Sequence, residues 1–83
     1  MKLTAELSLY PFRADYIEVI QAFIDSAASE AGLDLVTNAM STQISGDWDT
    51  VMNLISRELK TSYEKYSKQV LVCKLIPGEL DIG

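Results

Sequence analysis

Apolar and polar residues alternate strictly over residues 3–10. Leu3, Ala5, Leu7 and Leu9 fall on one side, Thr4, Glu6, Ser8 and Tyr10 on the other. A period of two marks a strand with one buried face. Pro11 closes the strand, because proline has no N–H to give to a ladder. Over residues 16–31 the spacing changes to three and four, with Tyr16, Ile20, Phe23, Ile24, Ala27 and Ala31 in one stripe. That period predicts a helix. Asp15 stands as its N-cap with Glu18 three residues on, and Gly32 as its stop. Residues 33–37 and 40–45 read as two strands joined at Asn38–Ala39. In the second of them Met40, Thr42 and Ile44 share the core side, and Ser41, Gln43 and Ser45 the other. A second helix opens at Gly46–Asp47, with Asp47 as N-cap and Asp49 in the first turn. Trp48, Val51, Met52, Ile55, Leu59, Tyr63 and Tyr66 form its apolar stripe. Arg57, Lys60, Lys65 and Lys68 gather toward its C-terminal end, where cations suit the helix dipole. Residues 69–76 form the last strand, closed by Pro77–Gly78, with the tail to Gly83 as a short extension.

Strand, helix, strand, strand, helix, strand is the split βαβ order. The expected class is α+β: a ferredoxin-like βαββαβ unit over residues 1–83, with a four-stranded antiparallel sheet and two helices on one face. The other face is then left uncovered by this chain, and it carries the polar sides of the first and third strands. The last strand differs. Val70, Val72 and Ile76 alternate with Leu71, Cys73 and Leu75, so both of its sides are apolar apart from Lys74. Strands buried on both faces read this way. The expectation is a homo-oligomer, dimer or tetramer, joined through sheet faces or edges, since a long apolar edge strand left bare is an aggregation hazard.

Composition sharpens that expectation. At 83 residues the chain is about half the usual length of one domain, and such a chain buries about 60–65% of the surface its unfolded form exposes. Small domains add disulfides, metals or oligomerisation. With Cys73 the one cysteine and no histidine, an internal disulfide and a zinc site are both excluded, so oligomerisation is the route left. The absence of histidine also removes Ser-His-Asp and Cys-His machinery. Seven basic against twelve acidic residues give a net charge of −5, which disfavours nucleic acid as a partner. No stretch approaches the ~18 apolar residues of a membrane helix, so membrane insertion is not expected. The start Met1-Lys2-Leu3-Thr4-Ala5-Glu6 does not read as a signal peptide. A cytoplasmic location, consistent with a lone reduced thiol, is the expectation.

Candidate chemistry concentrates on the open face. Glu6, Ser8, Tyr10, Ser41 and Gln43 offer carboxylate, hydroxyl and amide groups able to orient a small polar ligand; the structural alternative is an ordinary solvated sheet face. The amides at the start of the second helix suit an anion, but the Asp47 carboxylate would already cap them. Tyr10 and Trp48 suit an aromatic or cationic ligand, although Trp48 lies on the apolar stripe. Cys73, in an apolar strand without a neighbouring base, reads as a small hydrophobe. Arg13 lies in Tyr-Pro-Phe-Arg-Ala-Asp, which lacks the glycines of the acylphosphatase phosphate loop. The Cys-x-x-Cys of copper carriers is absent, as are the basic and aromatic central strands of the RNA-binding version of this fold.

Two strings go further than the fold. Ala5-Glu6-Leu7-Ser8-Leu9-Tyr10-Pro11 and Met40-Ser41-Thr42-Gln43-Ile44-Ser45-Gly46-Asp47 resemble the thiamine/hydroxymethylpyrimidine-binding family, the YkoF-related proteins. There a Ser-Leu-Tyr-Pro segment is followed by a helix, and a His-Ile-Ser-Thr or Met-Ser-Thr segment leads into glycine and a second helix. Ser8, Tyr10, Ser41 and Thr42 match residue by residue. Glu6 stands where some members carry a basic residue, and the histidine of some members is absent. Asn38 and Asp47 are added as neighbouring candidates. The resemblance implies a non-catalytic cytosolic protein that binds thiamine or its hydroxymethylpyrimidine precursor, as carrier or transport accessory, with no cofactor besides that ligand and no metal. It also implies two associated units, in tandem or as subunits; this sequence has one. Two other readings stand beside it. One is an ACT-like regulatory module binding another metabolite, such as an amino acid, between subunits. The other is a small monooxygenase- or isomerase-type enzyme using Glu6 or Asp47.

Overall fold

The computed structural model describes residues 1–83. The elements run β1 (Lys2–Pro11), α1 (Tyr16–Ala28), β2 (Asp34–Thr37), β3 (Thr42–Asp47), α2 (Trp48–Tyr66) and β4 (Gln69–Pro77). They form one antiparallel sheet in the order β2-β3-β1-β4, the ferredoxin-like arrangement. The alternation of β1 dictates its central place. Leu3, Ala5, Leu7 and Leu9 are buried beneath the helices. Val19, Phe23 and Ala27 of α1, Ile44 of β3, and Val51 and Leu54 of α2 complete the core. Direct pairing puts Leu7 beside Thr42 and Ala5 beside Ile44 on the helix side, and Glu6 beside Gln43 and Thr4 beside Ser45 on the other.

Several local expectations are corrected. α1 ends at Ala28 rather than 31, and the chain turns there through bonds from Ser29 N–H to Ser26 C=O and from Glu30 N–H to Ala27 C=O. Its buried line is Val19, Phe23 and Ala27, while Tyr16 stays exposed. Asp15 sits at the N-cap but makes no side-chain cap bond. Its carboxylate instead holds Arg13, at 2.7 and 3.0 Å. That guanidinium lowers the Asp15 pKa below the usual carboxylate value. Asp47 likewise leaves the start of α2 without a side-chain cap bond and lies at the end of β3. The buried face of α2 is Val51, Leu54, Glu58 and Ser62, turned away from the expected stripe, so that Met52 and Tyr63 are exposed. Charged residues are seldom buried unpaired, which hides Glu58 from a hydrophobic pattern. It is held by Arg57 at 3.2 Å, and Ser62 donates to the Gln69 side chain at 2.8 Å.

The face opposite the helices is not wholly open. After β4 the chain turns at Gly78, whose φ of +104° lies in the region glycine tolerates, and runs back across the sheet. Gly78 N–H donates to Lys2 C=O at 2.8 Å. Thr4 Oγ1 lies 3.0 Å from Ser45 Oγ, donates to Gly78 C=O at 3.1 Å, and accepts from Leu80 N–H at 3.2 Å. The segment ends with Gly83 against Val36 of β2. One end of the face is thereby strapped; the end carrying Glu6, Ser8 and Tyr10 is not.

β4 lies at the sheet edge and fits the two-sided apolar pattern. Val70, Val72 and Ile76 are each 45% exposed on one side, and Leu75 46% on the other. Cys73 faces the helix side of this edge, and partial burial pushes its thiol pKa up.

Two outcomes follow from these contacts. Replacing Thr4 with Val removes the hydroxyl that joins β1, β3 and the strap. Urea unfolding should show a loss of about 1–3 kcal/mol, the cost of leaving buried partners unsatisfied, and the Leu80 amide should lose protection from hydrogen exchange. Because its pKa is raised, Cys73 should alkylate more slowly at pH 7.5 in the folded chain than in urea, and the gap should narrow as pH rises. Equal rates at pH 7.5 would contradict the assigned environment.

Candidate functional site

β1 has two neighbours of different reach. With β4 it pairs through to Pro11↔Gln69; with β3 it stops at Leu7↔Thr42. Beyond that rung the β3 side of β1 faces a gap, because the chain between β2 and β3 folds into its own turn. Asn38 makes that turn. Its N–H donates to Ser41 C=O at 3.1 Å, and its Oδ1 accepts from Met40 N–H at 2.8 Å and Ser41 N–H at 3.2 Å. An Asn side chain capturing backbone N–H groups is a standard turn device. Below the turn, Thr37 Oγ1 and Thr42 Oγ1 lie 3.0 Å apart and clamp the ends of β2 and β3. Met40, expected on the core side, is consequently swung out to 86% exposure.

The result is a notch in the sheet with a cavity on each side. On the helix side a cavity of about 240 Å³ is lined by Leu7, Leu9, Ile20, Phe23 and Ile24 together with the turn residues. On the other side a cavity of about 280 Å³ is lined by Glu6, Val72 and Lys74. Ser8, Tyr10, Met40 and Ser41 line both. Each is a little smaller than the ~300–1,000 Å³ of most small-molecule sites, but the helix-side one has the apolar wall and few convergent polar groups of such a site.

The polar groups are partly pre-set. Ser41 Oγ donates to Glu6 Oε2 at 2.9 Å, and Lys74 Nζ stands 3.5 Å from Glu6 Oε1. A carboxylate accepts about four hydrogen bonds, so Glu6 keeps capacity for a ligand donor. Its ion pair with the exposed Lys74 is of the weak surface kind, and a ligand cation could replace the ammonium. Tyr10 is 56% exposed and presents its ring at the rim.

Six of the candidates, Glu6, Ser8, Tyr10, Asn38, Ser41 and Thr42, therefore meet at this notch. They do not all play the same part. Thr42 is buried and Asn38 builds the turn, whereas Glu6, Ser8, Tyr10 and Ser41 offer side chains to the cavities. Asp47 is not brought there: it pairs with Lys2, at the opposite end of β1 from Leu7. Gln43 pairs with Glu6 but lines neither cavity. Residues overlooked in the sequence are Lys74 and Met40, together with the apolar wall Ile20, Phe23 and Ile24. Lys74 had a signal, since it is the one polar interruption in an apolar strand. The rest depend on how α1 crosses the end of β1. A larger space of about 530 Å³ lies between β2 and the strap, but its polar walls are the acidic Asp34, Glu79 and Asp81, and none of the candidates reaches it.

Comparison with known proteins places the fold. Solved structures superpose along nearly the whole chain. A Thermotoga maritima protein provisionally assigned to thiamine biosynthesis or salvage gives a TM-score of 0.84 at 20% identity, over 99% of this chain and 91% of that one. A protein from Streptococcus pneumoniae gives 0.87 at 22% identity, over 96% and 90%. A hypothetical protein from Methanocaldococcus jannascii gives 0.80 at 24% identity, over 94% and 81%. At such identities the likeness speaks for the fold. Comparison with curated proteins gives no match. The model of the YkoF-related family matches residues 2–76, which takes in all six elements but the last residue of β4, and the chain belongs to that family.

Proposed function

We propose that this chain is a non-catalytic binding protein for thiamine or its hydroxymethylpyrimidine precursor, held in the notch beyond the Leu7↔Thr42 rung, and that it acts as a carrier or transport accessory. The observation that carries the reading is the notch itself: Ser8, Tyr10 and Ser41 line both of its cavities, with Glu6 on one side and an apolar wall on the other. Membership of the YkoF-related family supports it, as does the likeness to a Thermotoga maritima protein provisionally assigned to thiamine biosynthesis or salvage. The chemistry fits. A flat aminopyrimidine packs against Phe23 and Ile24, its polar substituents meet Glu6, Ser8 and Ser41, and the thiazolium cation of thiamine lies near the Tyr10 ring and the Glu6 carboxylate. The comparisons do not favour a regulatory amino-acid-binding module.

The same proposal includes a homo-oligomer. β4 is a nine-residue unpaired edge with apolar side chains exposed on both sides, whereas the other edge, β2, is four residues long. A second copy adding its own β4 would cover both the free ladder groups and the apolar flanks. None of the helices is long and apolar enough to cross a membrane.

Thermal melting in the presence of thiamine, its phosphates and hydroxymethylpyrimidine tests the binding. Ligand at a hundredfold its Kd should stabilise the fold by about 2.7 kcal/mol. Ser41→Ala and Glu6→Gln should each weaken binding about five- to tenfold, the worth of one hydrogen bond, with the unliganded Tm little changed. No shift with any of these compounds at millimolar concentration would overturn the reading. Light scattering at micromolar concentration should give at least twice the 9.2 kDa chain mass; a clean monomer would overturn the assembly.

A further inference from the structure

The notch contains a polar pair that belongs to no side chain. Along β1, Lys2 C=O accepts from Gly78 N–H and Phe12 N–H donates to Lys68 C=O, both toward β4. Met1 C=O accepts from Trp48 N–H on the β3 side. Even-numbered residues of β1 thus turn their peptide groups to β4, and odd-numbered residues turn theirs to β3, as an antiparallel ladder requires. Leu3, Ala5 and Leu7 meet partners in β3. The next odd residue is Leu9, and the register would set it opposite Met40. That rung is missing: Met40 N–H is bound to the Asn38 side chain, β3 pairs no farther than Leu7, and neither a turn bond nor a side chain reaches Leu9 N–H or C=O.

This absence is unusual for its location. Leu9 is 8% exposed and lines the helix-side cavity. Buried peptide groups are almost always paired, and an unpaired one costs about as much as a lost hydrogen bond. Here a donor and an acceptor of the same extended residue point together into the space where six candidate residues meet.

We propose that the Leu9 peptide is the specificity-determining reader of this site, its N–H donating to a ring nitrogen and its C=O accepting from the adjacent amino group of a flat heterocycle. The ligand edge then takes the place of the missing strand residue, since a hydrogen-bonded pair in a ladder exchanges the same two bonds. The chemical class selected is a planar ring with an amidine-type edge, of which a 4-aminopyrimidine is one. Ser8, Tyr10 and Ser41 at the two mouths contact the remaining substituents. The inference rests on the reading of the notch as a ligand site, and it adds which atoms discriminate.

Amide-resolved NMR tests it on the full chain. Without ligand, the Leu9 N–H should exchange with solvent much faster than those of Ala5 and Leu7. Saturation with hydroxymethylpyrimidine should move the Leu9 amide downfield and slow its exchange. The analogue bearing hydrogen in place of the 4-amino group should bind about tenfold or more weakly, since it leaves the Leu9 C=O unpaired. A Leu9 amide already as protected as that of Leu7 without ligand would overturn the proposal, and so would equal affinity for the two pyrimidines. Binding of hydroxymethylpyrimidine with the Leu9 amide unmoved would overturn the peptide reader and leave the notch as a ligand site. Failure of thiamine, hydroxymethylpyrimidine and the analogue all to bind would overturn both.

Discussion

Everything distinctive here depends on a mismatch of length. β1 pairs with β4 over nine residues, Leu3–Pro11, but with β3 over only six, Lys2–Leu7. A sheet with matched strands would bury its centre and present a uniform face. This one leaves part of its central strand without a neighbour, directly beside the first helix. The mismatch persists because Asn38 gives the turn residues their own hydrogen-bond partners, so Met40 and Ser41 have no need of β1. Without those bonds, local pairing would favour extending β3 by a rung and filling the gap with main chain.

The interior of β1 was legible from alternation alone, because its two sides meet opposite environments and the period of two is unbroken. So were the element order and the polar set on β1. Helix rotation was less legible. The apolar residues of α2 cover more than half a turn, and which of them turn inward is decided by α1 and by Arg57, which allows Glu58 to be buried. The start of β3 also escaped the pattern. Met40, Thr42 and Ile44 alternate well, yet the turn bonds of Asn38 override alternation at Met40.

The candidate site shows the same division. Side chains in a regular strand could be placed from sequence, so Glu6, Ser8 and Tyr10 of β1 could be grouped before any coordinates; Ser41 joined them by alternation although it lies in the turn before β3. Asp47 could not be excluded in that way. Its string is continuous with that of Ser41 and Thr42, but an extended strand carries residues apart at about 3.3 Å each, and five steps along β3 put it at the other end of the sheet. Adjacency in a motif is therefore a poor guide to adjacency in space once the motif is a strand. A backbone group without a partner is harder still to foresee, since it depends on a rung that fails to form.

The strap from Gly78 to Gly83 gives the sheet a sealed end and an open end. Main chain lies across Thr4 and Ser45, while nothing of this chain crosses Tyr10. The notch is thus open on that face from one end only: a solute would reach it past the tyrosine rim, not along the length of the strands. Anything seated in the notch would project at the Tyr10 end and leave the threonine-anchored half of the fold undisturbed.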